Sequence, residues 1–377
     1  MMLPVELSDT EEGLEEDICH IGIPKSSPAW SLRSKFFPCK LGGPPAWLAL
    51  SRLPSPASMA CQHCDDPTLF LTQLYSPIDS DPSAFHRTLF VFVCPKPKCS
   101  RPNDPGCFKV FRQCKFTCAL LALRNQLPME NRFYPPSPPV MEEAGSEEPS
   151  AQAFGTALCW LCGSLGPKRC GSCSKASYCS KAHQVEDWRR GHKQECKGPK
   201  EECEGSSKCK GPPEGPKCRP GVFFPEFELE IESVVMEDDE ETDGDEGDVP
   251  DSPDDAETRA LEAMAQKDQG GKAWKRFRGF CRENPEAVVR FERDGTPLHI
   301  SQGHEDEQKV PPDCETCGAP RRFEFQLLPQ LLNKLQLDDQ MGDSLDWGTV
   351  LVYTCSKNCS PDYELYSPEV VFKEDFQ

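Results

Sequence analysis

Two cysteine-bounded layouts of the same kind, one near each end of the chain, predict a β-rich domain built from two sequence halves and stapled by metal. Between them, eight closely spaced Cys and His residues predict a small inserted finger with metal sites of its own. A third observation, a long acidic tract with no basic residue, predicts a disordered linker after that finger.

The N-terminal half of the β-rich domain is assigned to residues 26–135, and residues 1 to about 25 read as disordered. In this half the pair Cys61-x2-Cys64 is followed by the strand-like run Leu69–Tyr75. A second strand candidate, Leu89–Val93, leads straight into Cys94-x4-Cys99. The C-terminal half, 266–377, repeats the order: Cys314-x2-Cys317 precedes Phe323–Leu327, and Val350–Tyr353 runs into Cys355-x3-Cys359. Bulky apolar residues at three- and four-residue steps predict helix at Glu257–Gln266 and around Trp274–Phe280. Residues 130–158 read as a Pro/Glu/Ser-rich linker, and 197–258 as the disordered acidic linker.

With 377 residues the chain has room for two or three compact units. Its 38 prolines argue that other stretches are extended. The 23 cysteines have two ordinary uses, disulfides or metal. Met1–Gly13 is acidic and lacks the apolar core of a secretory signal, which favours metal in a reducing compartment. No apolar run approaches the ~18 residues that span a membrane. The net charge is −20, but residues 222–258 hold 17 Asp and Glu and no Lys or Arg, so the remainder carries only −3. Such a chain is a poor nucleic-acid binder and a better match for basic proteins.

The central cluster, 159–196, is made of four pairs: Cys159-x2-Cys162, Cys170-x2-Cys173, Cys179-x3-His183 and His192-x3-Cys196. A C-x2-C turn aims two sulfurs at one metal, and x3 pairs lie one helical turn apart. Tetrahedral zinc takes four ligands, so eight ligands hold two ions, and the metal supplies folding energy that so short a segment lacks. Cys61, Cys64, Cys94 and Cys99 would make a third zinc site, and Cys314, Cys317, Cys355 and Cys359 a fourth. Every position is filled by protein, as in structural rather than catalytic zinc. Cys19, Cys39, Cys107, Cys114, Cys118, Cys203, Cys209, Cys218 and Cys281 find no partner set.

The cluster, with Tyr178-Cys179-Ser180-x2-His183-Gln184, Asp187-Trp188 and His192-Lys193-x2-Cys196, resembles a MYND finger, a small cross-braced α+β unit. The resemblance implies one zinc on Cys159, Cys162, Cys179 and His183, and another on Cys170, Cys173, His192 and Cys196; the family usually has Cys where this chain has His183. The flanks resemble the programmed cell death protein 2 family. The matching blocks are Trp30-x-Leu32-Arg33-Ser34, Lys40-x-Gly42-Gly43-x-Pro45-Ala46-Trp47-Leu48, Ala84-Phe85-His86-Arg87-x-Leu89-Phe90-x-Phe92, Phe323–Leu327 with Pro329–Leu332, and Asp346-Trp347-Gly348. One departure stands out: the family runs Val-Phe-Arg directly into Asn-Gln-Leu-Pro, whereas here Gln113–Arg124 separate Val110-Phe111-Arg112 from Asn125–Pro128 and read as an insertion. The resemblance implies one β-rich fold shared by both halves, a nuclear and cytoplasmic location, and a role as dedicated chaperone for a basic small-subunit ribosomal protein in ribosome biogenesis.

A second reading is a transcriptional or apoptosis-related adaptor whose MYND finger binds proline-containing peptides. Enzyme classes find little support. The Asn-His motif of SET–MYND methyltransferases, the RING Cys-x-His-x2-Cys segment, Walker loops, Gly-x-Ser-x-Gly and His-Glu-x2-His are all absent from the sequence, which predicts a non-catalytic protein without a small-molecule substrate.

Overall fold

Both halves of the chain contribute strands to a single closed barrel, so neither completes the fold alone. The structure is a computed structural model describing residues 18–101, 120–142, 149–196, 222–236, 271–300, 310–335, 345–360 and 362–375. The N-terminal half supplies β1 (Ile18–Lys25), β2 (Lys40–Leu41), β3 (Leu69–Tyr75), β4 (His86–Val93) and β5 (Leu120–Leu127). Two short strands, β6 (Lys168–Arg169) and β7 (Ser177–Tyr178), pair with each other outside the barrel. The rest of the barrel comes from β8 (Phe227–Val235), β9 (Val289–Phe291), β10 (Arg321–Leu327), β11 (Thr349–Cys355) and β12 (Ser367–Glu374). The order around the barrel is β1-β8-β2-β3-β4-β5-β12-β11-β10-β9, and β9 closes back on β1.

The duplicated layout read from the sequence is visible in the ladders. Residue 93, just before Cys94, pairs with Leu69, five positions beyond Cys64. Thr354, just before Cys355, pairs with Arg322, five positions beyond Cys317. Each ladder then slips by one residue at the same place, between Phe70 and Thr72 and between Phe323 and Phe325. A bulge of this kind bends the strand and leaves one residue unmatched. That residue is Leu71 in the first half and Glu324 in the second.

Strand β4 shows why both faces of the sheet are buried. Leu89, Val91 and Val93 join Leu71, Leu74, Phe325, Leu327, Val350, Val352 and Val371 in the barrel lumen. The alternate residues Phe90 and Phe92 face outward, where Trp47, Leu48, Phe133 and Tyr134 cover them. A strand covered on both sides reads as a continuous apolar run, as Leu89–Val93 does. Helix Lys272–Glu283 packs Phe277 and Phe280 onto Cys19 and Ile21 of β1.

Charges cross the lumen where apolar contacts stop. Arg87 of β4 donates twice to Glu324 of β10, at 2.7 and 2.9 Å, and both side chains are fully buried. Burial alone would raise the Glu324 pKa, but the Arg87 guanidinium and the Thr354 hydroxyl hold it below the usual carboxylate range. Arg124 donates to Glu369 at 2.6 Å, also fully buried.

Two expectations need correction. The acidic linker assigned to 197–258 is interrupted by β8, where Phe227, Leu229 and Ile231 alternate with Glu228, Glu230 and Glu232. Alternation is the period of a strand, whatever the net charge. The N-terminal half begins before residue 26, because β1 pairs along its whole length with β8. Leu120–Arg124, the last part of the segment read as an insertion, lie in β5 and pair with Val93 to Leu89 of β4. That segment's cysteines Cys114 and Cys118, the helix expected at Glu257–Gln266 and most of the acidic tract lie outside the described residues.

Candidate metal centres

Each C-x2-C pair sits on the same turn. Four residues after the first Cys the backbone turns left-handed, at Asp65 (φ 59°), Gly163 (71°), Ser174 (56°) and Gly318 (68°). The N–H of that residue donates to the carbonyl of the first Cys in all four, at 2.8 to 2.9 Å. The first Cys N–H in turn donates to Asp66, Ser164, Ala176 and Ala319 respectively. These bonds satisfy the backbone while leaving both sulfurs on the open side of the turn.

Four groups of ligand atoms come together, with all atoms of a group within 4.8 Å of one another. They are Cys61, Cys64, Cys94 and Cys99; Cys159, Cys162, Cys179 and His183; Cys170, Cys173, His192 and Cys196; and Cys314, Cys317, Cys355 and Cys359. Contacts across the groups include 3.8 Å for Cys64–Cys94, 3.7 Å for Cys162–Cys179, 3.8 Å for Cys170–Cys196 and 3.5 Å for Cys317–Cys355. A tetrahedron with Zn–S bonds of about 2.3 Å has edges of about 3.8 Å. The clusters therefore have the donors and spacing of structural zinc.

Their proton chemistry agrees. Hydrogen bonds from Cys162 and Cys179 hold the Cys159 thiol far below its ordinary pKa, and the same contacts push Cys162 far above. Neighbouring thiolates oppose one another, and a divalent cation among them removes that opposition.

The finger's helix explains how its last ligands are aimed. Ser180 caps helix Lys181–Asp187 by accepting from the His183 N–H, and His183 Nδ1 lies 3.1 Å from Cys179 Sγ. The helix then widens over Trp188–His192, where Gly191 takes φ 152°. This irregular turn swings His192 so that Nε2 lies 3.6 Å from Cys173 Sγ. Trp160, Tyr178 and Trp188 pack around the His192 ring, and Tyr178 donates to the fully buried Asp187 at 2.7 Å.

The finger does not stand apart from the barrel. Trp47 Nε1 donates to the Gly163 carbonyl at 2.8 Å, and Leu158 and Leu165 pack against the cluster around Trp47. Spacing within the finger could not show this, because the partner lies 116 positions away. Cys19, Cys39 and Cys281 lie outside the four groups, and burial raises the Cys39 thiol to about 11. Cys107, Cys203, Cys209 and Cys218 lie outside the described residues.

Comparison with known proteins fits this division of the chain. Residues 19–141 match the programmed cell death protein 2 N-terminal domain, 271–376 its C-terminal putative domain, and 159–196 the MYND finger. The chain is 38% identical to "Programmed cell death protein 2" of Bos taurus over 361 residues, covering 94% of this chain and 96% of that protein. The Mus musculus protein of the same name is 38% identical over 367 residues, with the same coverage. A shorter match, 34% identical over 100 residues and 24% of each chain, is to "Probable 20S rRNA accumulation protein 4" of Schizosaccharomyces pombe. No solved structure matches. With both flanking domains, the finger and nearly the whole length in common with these relatives, the chain belongs to the programmed cell death protein 2 family.

Proposed function

We propose that this chain is a non-catalytic protein-binding factor that holds a basic small-subunit ribosomal protein during ribosome biogenesis, in cytoplasm and nucleus. The observation that carries the reading is the Schizosaccharomyces pombe relative whose name ties it to 20S rRNA accumulation. Charge supports a protein partner over RNA, since the chain carries −20 and concentrates it in one tract. Ribosomal proteins are basic and aggregate without RNA, so an acidic partner shields them and speeds encounter. All sixteen clustered Cys and His residues are taken as ligands of four zinc ions, which leaves no coordination position open for a water nucleophile. The metal then serves to hold a binding surface in shape.

The test is selective capture of translating ribosomes with the tagged full-length chain, followed by sequencing of the protected mRNA. Footprints concentrated on the message of one basic small-subunit protein are expected. Footprints spread over unrelated messages, or none above an untagged control, would sink the reading.

A further inference from the structure

Strand β8 is paired unevenly. On one side it meets β1 along eight consecutive residues, from Ile18–Val235 to Lys25–Glu228. On the other it meets β2 only at Phe227 and Glu228, with one more bond from the Leu229 N–H to the Cys39 carbonyl. The ladder stops there for a local reason. Pro38 has no N–H to give, and Phe37 before it is left-handed (φ 50°), so the chain turns away. Bonding alternates along an antiparallel strand, so Ile231, Ser233 and Val235 present their N–H and C=O groups on the same side as Leu229. Among the described residues nothing pairs with them there.

The side chains along this edge carry two chemistries. Glu230 and Glu232 are exposed on one face, continuing the row begun by Glu228. On the opposite face Ile231 is 41% and Val235 53% exposed, and Ile18, paired with Val235, is 51% exposed. We infer that the outer edge of β8, from Glu230 to Val235, takes an extended segment of a basic protein as an added strand. Main-chain hydrogen bonds to Ile231, Ser233 and Val235 hold the segment, and the carboxylates on one face and apolar side chains on the other select its side chains. Basic residues would lie beside Glu230 and Glu232, and apolar ones beside Ile231 and Val235. The partner segment therefore reads basic and apolar in alternation over about five or six residues.

A second copy of this chain is the other obvious occupant of a free edge. Charge disfavours it, because pairing β8 with itself sets Glu230 and Glu232 against the same residues of the partner strand. The inference rests on the protein-binding reading above and names the surface and the peptide chemistry it lacks.

The probe is a fluorescein-labelled Lys-Val-Lys-Val-Lys-Val-Lys peptide, titrated by fluorescence anisotropy against the full-length zinc-loaded chain. Two further peptides carry N-methyl groups, one on the valine amides and one on the inner lysine amides. All three have the same charge, but only one set of amides can face β8. Binding that falls roughly tenfold or more for one N-methylated peptide and not for the other is expected. Ser233→Pro, which removes an outward N–H that bonds nothing else among the described residues, should weaken the unmodified peptide by about the same factor. Equal binding of all three peptides, or no binding, overturns the inference; should Ser233→Pro not fold, the peptides alone decide. Self-association that disappears in Ser233→Pro would also overturn it, in favour of a second copy. Client footprints without peptide discrimination remove the β8 edge and leave the proposed function standing. Peptide discrimination without client footprints does the reverse.

Discussion

The loops Cys94–Cys99 and Cys355–Cys359 leave equivalent strands at equivalent register, yet the opposite half of the barrel grips them very differently. The first is met by surface contacts: Ser100 donates to the Asp346 carbonyl at 3.1 Å, and Lys373 reaches Ser100 at 3.2 Å. The second is held by a buried polar network from the N-terminal half. Arg87 donates to Asn358 at 3.0 Å, Gln126 to the Asn358 carbonyl at 3.2 Å, and Arg124 to the Cys359 carbonyl at 2.6 Å. Glu369, the partner of Arg124, accepts from the Cys355 N–H as well. The same metal knuckle is thus a local staple in one half and a clasp between halves in the other. Duplicating a unit copies its turn geometry, while the contacts between copies depend on which copy each side chain faces.

The largest test of that difference removes one buried charge. Arg87→Met leaves Glu324 buried and unpaired, which should lower unfolding stability by about 3–5 kcal/mol. The double variant Arg87→Met with Glu324→Met should recover most of the loss, because the lumen then closes over apolar side chains. The corresponding exposed pair of the first knuckle, Lys96–Asp66, should cost under about 1 kcal/mol when Lys96 becomes Met. Denaturant titration at fixed free zinc measures all three. A small loss in Arg87→Met, or a loss as large in Lys96→Met, would mean the two loops are held alike.

A pH profile sharpens the comparison at the start of the same strands. His86, eight residues before Cys94, is buried, and burial lowers its pKa to about 4. Its Nδ1 hydrogen-bonds the Tyr75 hydroxyl at 3.0 Å and Nε2 has no partner among the described residues, so a neutral ring with its proton on Nδ1 fits, whereas the cation would bury a second N–H with nothing to accept it. The matching position before Cys355 holds Trp347, which does not titrate. The unfolded ring titrates near 6.5, above the folded value. Stability from the neutral ring is therefore complete above about pH 6.5 and is lost as pH falls toward 4, at up to about 1.4 kcal/mol per pH unit. His86→Gln should flatten that window relative to the unaltered chain. Thiolate protonation acts on both proteins, so their difference isolates the ring; identical slopes would show that His86 does not titrate on unfolding.

What could be read from sequence follows the range of each interaction. The four ligand groups were legible because each pair is local and its turn needs only a few residues, from Cys61 to Asp66 or Cys314 to Ala319. The strands beside them were legible for the same reason. β8 was missed because counting carboxylates hid the alternation of Phe227, Leu229 and Ile231. β1 was missed because its partners on β8 begin more than 200 positions away. β5 was passed over because Gln113–Arg124 were read as inserted sequence, which took Leu120–Arg124 out of the search for strands. The Arg87–Glu324 clasp, 237 positions apart, leaves no local pattern at all.

The smallest expected effect lies in the turn that both knuckles share. Each needs a left-handed residue four positions after its first Cys, and the halves fill it differently, with Asp65 at φ 59° and Gly318 at φ 68°. A Cβ added to Gly318 meets nothing within 4 Å, so Gly318→Ala changes only the backbone preference. That preference costs an L-residue about 1–2 kcal/mol in this region, less for Asp, whose short polar side chain tolerates it. Gly318→Ala should therefore weaken its knuckle by about 1 kcal/mol. Asp65→Gly should change the other by under about 0.5 kcal/mol, since relief of the left-handed strain is offset by a more flexible unfolded chain. Because metal binding and folding share one free energy, either change appears as altered zinc retention against a chelator. Gly318→Ala should release one zinc at a chelator concentration several-fold lower than the unaltered chain, with the other ions unmoved. If Asp65→Gly sheds zinc as readily, the Asp65 side chain itself holds the first knuckle, and the two turns are not the same device.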